Sequence, residues 1–162
     1  MKSESGSSCD LFGNLNLEQV AKYQAPHLVR QVLDSSRTIA IVGLSTNPQK
    51  DSHAVASFLQ NRRFRIIPVH PKAERILGER VYRKVADIPE PVDIVNVFRP
   101  PHECPEHAEQ AVQICAKALW LQLNIFSEEA AAIASAGGLD VIMGLCMKIE
   151  HRRHLGSQTA SG

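Results

Sequence analysis

From Thr38 onward, short runs of β-branched and apolar residues alternate with amphipathic stretches, and this alternation constrains the fold more than any other feature of the chain. Residues 38–43, TIAIVG, read as a buried strand closing on glycine, and residues 52–62 follow as a helix with Val55, Phe58 and Leu59 on one face. Residues 64–69 form a second strand, in which Pro68 requires an edge or exit position because it cannot donate to a ladder. Residues 78–88 give a short irregular connection with room for one helical turn, and residues 92–98 a third strand. Pro101 opens a helix whose Ala108, Ala111, Val112 and Cys115 recur at helical spacing. Residues 118–123 are a fourth strand, Ser127 caps a short Ala-rich helix, and residues 139–143 are a fifth strand. Strands and helices in this order make βαβ units with right-handed crossovers, hence a mainly parallel sheet. Five strands are too few for an eightfold barrel, so the α/β sheet is expected to be open and doubly wound.

Ahead of this unit, residues 11–36 carry a helical pattern. Leu17, Val20 and Ala21 share one face, Pro26 suits a first turn, and Val29, Val32 and Leu33 continue the stripe. Three regions result: a tail and helical extension over 1–36, a sheet domain over 37–156, and a loose polar end over 157–162.

Composition removes several classes of function. The chain has 162 residues, enough for one domain that needs no metal or disulfide staple. A net charge of +1 gives no field suited to nucleic acid. The longest run without Asp, Glu, Lys or Arg, residues 38–49, is too short to span a membrane. The opening MKSESGSSCD has no apolar segment of the kind a secretory leader needs, so a reduced, cytoplasmic setting is expected. Cys9, Cys104, Cys115 and Cys146 show no CxxC spacing, and the histidines no metal-ligand motif. His151 and His154 fall in a basic, helix-like tail over 148–155 and read as a solvated face.

In open parallel sheets ligands bind at the carboxyl ends of the strands, near the switch in strand order. The first strand exit, Gly43-Leu-Ser-Thr-Asn-Pro-Gln-Lys-Asp-Ser52, starts as a dinucleotide turn does but has Ser45 and Pro48 at the next glycine positions. Ser52 is placed to cap the following helix, leaving backbone N–H groups for a phosphate, with Thr46, Asn47, Lys50 and His53 beside them. The second exit, His70-Pro71-Lys72, offers a cation where an NAD site has a carboxylate, which suits a nucleotide with an extra ribose phosphate, CoA or NADP. Phe98-Arg99 follows the third strand and Gln122-Leu-Asn124 the fourth. After the fifth, Cys146 precedes Lys148, and an extended segment would put the ammonium on the side of the sulfur, where a cation favours the reactive thiolate. No GxSxG elbow, Walker loop or paired-carboxylate motif is present, so the chain shows a binding site more clearly than a catalyst.

Taken in order, Ile41-Val-Gly-Leu-Ser45, Arg65-Ile-Ile-Pro-Val-His-Pro71, Ile76-Leu-Gly78, Asp87-Ile-Pro-Glu-Pro-Val-Asp-Ile-Val95, Phe98-Arg99, Trp120-Leu-Gln122 and Cys146-Met-Lys-Ile-Glu-His151 resemble the stand-alone CoA-binding proteins. These are similar to the N-terminal CoA-binding domain of the succinyl-CoA synthetase α chain. The resemblance covers residues 38–156 and implies a Rossmann-like fold. It implies CoA, or an acyl-CoA, held by its nucleotide at the first-strand loop and at Pro71-Lys72, with the pantetheine running past Phe98-Arg99 and Gln122 toward Cys146. It brings no ligase domain and no synthetase activity. The chain departs from the family pattern twice, at Asn124, where glycine is usual, and at Gly144, where Asp or Asn is usual. The expected function is therefore a CoA-binding protein without evident catalysis. The alternatives are an NADP-binding, oxidoreductase-like protein and a docking subunit of an acyl-CoA enzyme. A homo-oligomer or a partner enzyme would dock through the N-terminal helices, and neither nucleic acid nor membrane is expected.

Overall fold

The structure is a computed structural model that describes residues 15–161. The tail expected over residues 1–10, Cys9 included, lies outside the described residues. Strands β1 (Thr38–Val42), β2 (Arg65–Val69), β5 (Ile94–Val97), β6 (Ala118–Leu121) and β7 (Asp140–Met143) form one sheet, ordered β2-β1-β5-β6-β7. Every pair in it is parallel. β2 is an edge strand, which accounts for Pro68, and the Pro68 carbonyl accepts from Tyr82 N–H at 3.0 Å.

Period-two alternation sorts the strand side chains into two cores. Ile39, Ile41, Ile94, Trp120 and Ile142 point to one face, and Ala40, Val42, Val95, Leu119 and Met143 to the other. The first face is covered by helices α2 (Pro26–Ser35), α3 (Asp51–Asn61) and α6 (Met147–Ser161), through Val29, Val55, Leu59 and Met147. The second is covered by α4 (Cys104–Gln113) and α5 (Glu128–Ala136), whose Ala108, Ala111, Ala130 and Ala134 let the helices lie close to the strands. The sheet is thus doubly wound and Rossmann-like. No helix among the described residues is long and apolar enough to cross a membrane.

Several local expectations change. Residues 75–80 close a small hairpin, β3 (Arg75–Ile76) with β4 (Glu79–Arg80), and the expected single turn is a 3-10 helix, Val85–Asp87. In α1 (Leu17–Tyr23) the packed side carries Tyr23 and Val20, while Leu17 is 66% exposed. This short helix takes its orientation from polar anchors: the Tyr23 hydroxyl donates to Glu128 at 3.2 Å and the Gln24 amide to the Met143 carbonyl at 2.9 Å. The stripe Val29, Val32, Leu33 is buried within the chain, so among the described residues Leu17 is a large apolar side chain that the extension leaves exposed. The polar end from residue 157, expected to be loose, continues α6 as far as Ser161. His151 does not lie on a solvated face: it is 3% exposed, edge-on to Phe58 and Phe64, because α6 packs against α3. His154 is half-buried against Glu150, with Nε2 3.5 Å from the carboxylate.

Candidate functional site

Strand order reverses at β1: the chain runs from β1 to β2 on one side and then crosses to β5 on the other. The carboxyl ends of β1 and β5 therefore flank the crevice where such sheets take ligands. Gly43 leaves β1 there with φ +83°, and an added Cβ would stand 2.8 Å from the Phe98 carbonyl oxygen and 2.8 Å from Arg99 Cδ. Gly43 and Arg99 line one cleft, and Phe98, whose carbonyl Gly43 abuts, lines another.

The first cleft, about 430 Å³, lies over β1 and β2 and is lined by Gly43, Ser45, His70 and Pro71, and by Arg99 and Arg83. Arg99 makes a two-point contact with Glu103, Nε to Oε1 at 3.0 Å and Nη2 to Oε2 at 2.7 Å. That hydrogen bond holds the Glu103 carboxyl below its ordinary range and raises Arg99 further above its own. His107, on the same wall, is half-buried, and burial lowers its pKa. Its Nε2 has no hydrogen-bond partner and lies 3.9 Å from Glu103. His70 acts on its own loop: Nδ1 accepts from the N–H groups of Lys72 and Ala73, both at 3.0 Å. Arg83 clamps the same turn from outside, donating to the carbonyls of His70, Lys72 and Ala73.

The loop after β1 is held differently from the expectation. Ser52 does not cap α3; Lys50 is the N-cap and makes no side-chain cap bond. The buried Ser52 hydroxyl instead accepts from Ser45 N–H at 2.9 Å, Ser45 accepts from Asn47 N–H at 3.0 Å, and Asn47 accepts from Gln49 N–H at 2.9 Å. Those side chains spend themselves in shaping the loop. The N–H groups of Thr46, Asp51 and Ser52 keep no acceptor among the described residues. Thr46, Asn47, Lys50 and Lys72 are exposed at the loop tips, and His53, half-buried in the first turn of α3, lines neither cleft.

The second cleft, about 490 Å³, runs between α3 and α6 beyond the ends of β5 to β7. It gathers Phe98, Gln122, Asn124 and Cys146, the residues expected at the pantetheine end. Gln122 is 5% exposed, and its Oε1 accepts from Met147 N–H and from Asn96 Nδ2, each at 3.3 Å. Its Nε2 is left as a donor at the cleft. Cys146 is half-exposed and stands just ahead of α6, its carbonyl accepting from Glu150 N–H. The segment beyond it is helical rather than extended, so the alternation expected of Cys146 and Lys148 does not apply, and Lys148 Nζ lies over the Phe58 ring at 5.5 Å. The two departures from the family pattern have local causes. Asn124 adopts φ 63°, a conformation glycine holds easily and asparagine tolerates. At Gly144 a Cβ would stand 2.3 Å from Phe126 Cε1, so the ring occupies the space an Asp or Asn side chain would need.

Sequence reasoning missed Glu103, His107 and Arg83 in the first cleft, and Asp51, Ile149 and Arg152 in the second. Glu103 and His107 carry a signal, since each lies four residues beyond the one it faces, Arg99 and Glu103 in turn. Arg83 reaches its cleft across the β3–β4 hairpin, and no local spacing announces that.

The CoA binding domain family matches residues 37–152. The chain belongs to that family. It is 37% identical over 123 residues to YneT of Bacillus subtilis, covering 76% of this chain and 91% of YneT. A solved protein of Pyrococcus horikoshii OT3 superposes with a TM-score of 0.79 at 36% identity, covering 82% of this chain and 93% of that one. The ADP-forming acetate–CoA ligase II of Archaeoglobus fulgidus is 30% identical over 95 residues, which is 57% of this chain but 14% of the ligase. The domain thus occurs both as a small protein and inside larger ligases.

The buried histidines set a pH dependence. Burial lowers His107, and burial with the nearby Arg62 charge lowers His151. In the unfolded chain these two imidazoles take up protons near the ordinary value of 6.5, whereas in the native chain they do so only at lower pH. Stability is therefore complete above that value and falls as pH drops through it. A melting temperature lower at about pH 5.5 than at about pH 7.5 is expected, with a smaller difference in a His107→Gln/His151→Gln variant. An unchanged or higher melting temperature at the acid end would contradict the assignment.

Proposed function

We propose that this protein binds coenzyme A or an acyl-CoA across the crevice at Gly43, as a cytoplasmic binding protein and not an enzyme. The observation that carries the reading is a glycine with no room for a Cβ, which lines the first cleft and abuts the carbonyl of Phe98, a residue that lines the second. The adenosine end would lie in the first cleft between His70-Pro71 and Arg99. The diphosphate would cross Gly43 and meet the N–H groups of Thr46, Asp51 and Ser52, where the α3 dipole favours an anion. The pantetheine would descend into the second cleft, its amides meeting Gln122 Nε2 and its sulfur ending near Cys146.

Lys50 and Lys72 support the reading, since both are exposed and form no ion pair among the described residues. Arg83, by contrast, is committed to backbone carbonyls and Glu74. Lys72 is thus the side chain placed to meet the ribose phosphate. The test is a thermal-shift series with CoA, dephospho-CoA and NADP, since a ligand of the native state raises the melting temperature. CoA is expected to give the largest shift. Lys72→Ala is expected to weaken CoA by about 1–3 kcal/mol while leaving dephospho-CoA nearly unchanged, the contribution of one charge-assisted contact. Equal losses for both would remove Lys72 from the phosphate, and a larger shift with NADP than with CoA would overturn the reading in favour of a dinucleotide site.

A further inference from the structure

Beside the second cleft three cations gather around one ring. The Arg62 guanidinium carbon lies 4.6 Å from the centre of the Phe58 ring, and Lys148 Nζ and Arg152 Cζ each lie 5.5 Å from it. No two of them can be farther apart than the sum of their distances to that centre. None of the three has a carboxylate partner among the described residues, whereas Arg65, Arg83, Arg99 and Arg153 each hold one. The carboxylates within reach are engaged or distant. Glu150 is turned to Arg153 and His154 at 3.1 and 3.5 Å. Asp51 lines the same cleft but forms no ion pair with the three, and stands seven residues ahead of Phe58, about 10 Å along α3. His151, also edge-on to Phe58, is buried and contributes no compensating negative charge. Cation–π contact at exposed sites offsets part of the mutual repulsion, but three like charges with no carboxylate paired to them among the described residues form a receptor for an anion.

Two of these cations, Lys148 and Arg152, line the cleft that begins at Gln122 and Cys146. Its walls also carry apolar side chains, among them Ala54 and Val55 on α3, Ile149 on α6 and Leu123 after β6. Leu123 and Ile149 are 49% and 46% exposed, large apolar side chains left open beside the cleft. From Met147, the residue after Cys146, to Arg152 is five residues along α6, about 7.5 Å of helix rise. Polar, apolar and cationic side chains thus share a single cavity. That set of environments suits a short methylene chain between a thioester and a carboxylate.

We infer that the second cleft receives the acyl group of an acyl-CoA whose far end is a carboxylate. The methylenes lie on Val55, Leu123 and Ile149, and the carboxylate meets Lys148 and Arg152. The inference rests on the direction proposed above for the pantetheine. The test is titration calorimetry of the full chain with CoA, pentanoyl-CoA and glutaryl-CoA; the two thioesters have the same carbon count and differ by the terminal carboxylate. Glutaryl-CoA is expected to bind about tenfold more tightly than pentanoyl-CoA, the order of one charge-assisted contact at a half-exposed site. In a Lys148→Gln/Arg152→Gln variant the preference is expected to vanish while the affinity for CoA stays that of the parent. Equal affinities for the two thioesters, or a preference that survives in the variant, would overturn the inference and leave CoA binding intact. Absence of binding for all three ligands, with circular dichroism showing the chain folded, would overturn the CoA reading itself.

Discussion

Replacing Gly43 by alanine is expected to lower stability by about 3 kcal/mol and to abolish the CoA-dependent rise in melting temperature. Two costs add. A side chain at φ +83° carries about 1–2 kcal/mol of left-handed strain. The new Cβ must also displace the Phe98 carbonyl, which it meets at 2.8 Å. Arg99 Cδ, at the same distance, belongs to a flexible side chain and can swing aside at small cost. The Phe98 backbone cannot, because its N–H is bonded to the Val42 carbonyl at 2.9 Å and the two strand ends are thereby locked. In a domain of this size the loss corresponds to a fall of about 6–12 °C in melting temperature. Gly78→Ala supplies the control, since φ there is +78° and nothing lies within 4 Å of the added Cβ. It should lose about 1–2 kcal/mol and keep its response to CoA. If the two variants melt together and both still respond to CoA, the crevice does not run across Gly43.

This comparison also shows why the sequence discloses some of the site and hides the rest. Glycine at the end of the first apolar run is a local signal, because a strand that closes on Gly before a polar loop means a turn with close backbone approach. The five strands were equally legible, since Ile39, Ala40 and Ile41 are buried on both faces and read as one apolar run. What stayed hidden depends on contacts between distant segments. Ser52 has the residue type of a helix cap, yet its hydroxyl serves Ser45 seven residues earlier, and the helix begins two residues sooner than a Ser52 cap would require. His151 sits among charges in the sequence, and only the packing of α6 on Phe58 and Phe64 buries it. The spacing of Cys146 and Lys148 was read with the period of a strand, whereas α6 begins at Met147 and turns the ammonium toward Phe58. Arg152 enters the cleft for the same reason: helical periodicity brings it onto the side occupied by Lys148.

The largest loss of stability is expected from Trp120→Ala. Trp120 is fully buried in the middle of β6, on the face covered by α2, α3 and α6, and it is the bulkiest side chain of that core. Truncation removes the transfer free energy of the ring and leaves a cavity between strands and helices that pack too regularly to collapse into it, a cost of about 3–5 kcal/mol. It removes a bond as well: the indole N–H donates to the Leu145 carbonyl at 2.9 Å and so fixes the residue just ahead of Cys146. Trp120→Phe separates the two effects, because phenylalanine keeps most of the packing and loses only the donor. Leu145 is half-buried, so its freed carbonyl gains partial access to water and the penalty should stay near 1 kcal/mol. Denaturant titration reads both losses, and the rate at which Cys146 is alkylated, followed by peptide mass, reads the release of the segment. Both variants should alkylate Cys146 faster than the parent, Trp120→Ala the more so. A phenylalanine variant as unstable as the alanine one would place the cost in the hydrogen bond rather than in packing. Unchanged Cys146 reactivity in both would mean that the start of α6, held also by Gln122 Oε1 on Met147 N–H, keeps its place without the tryptophan.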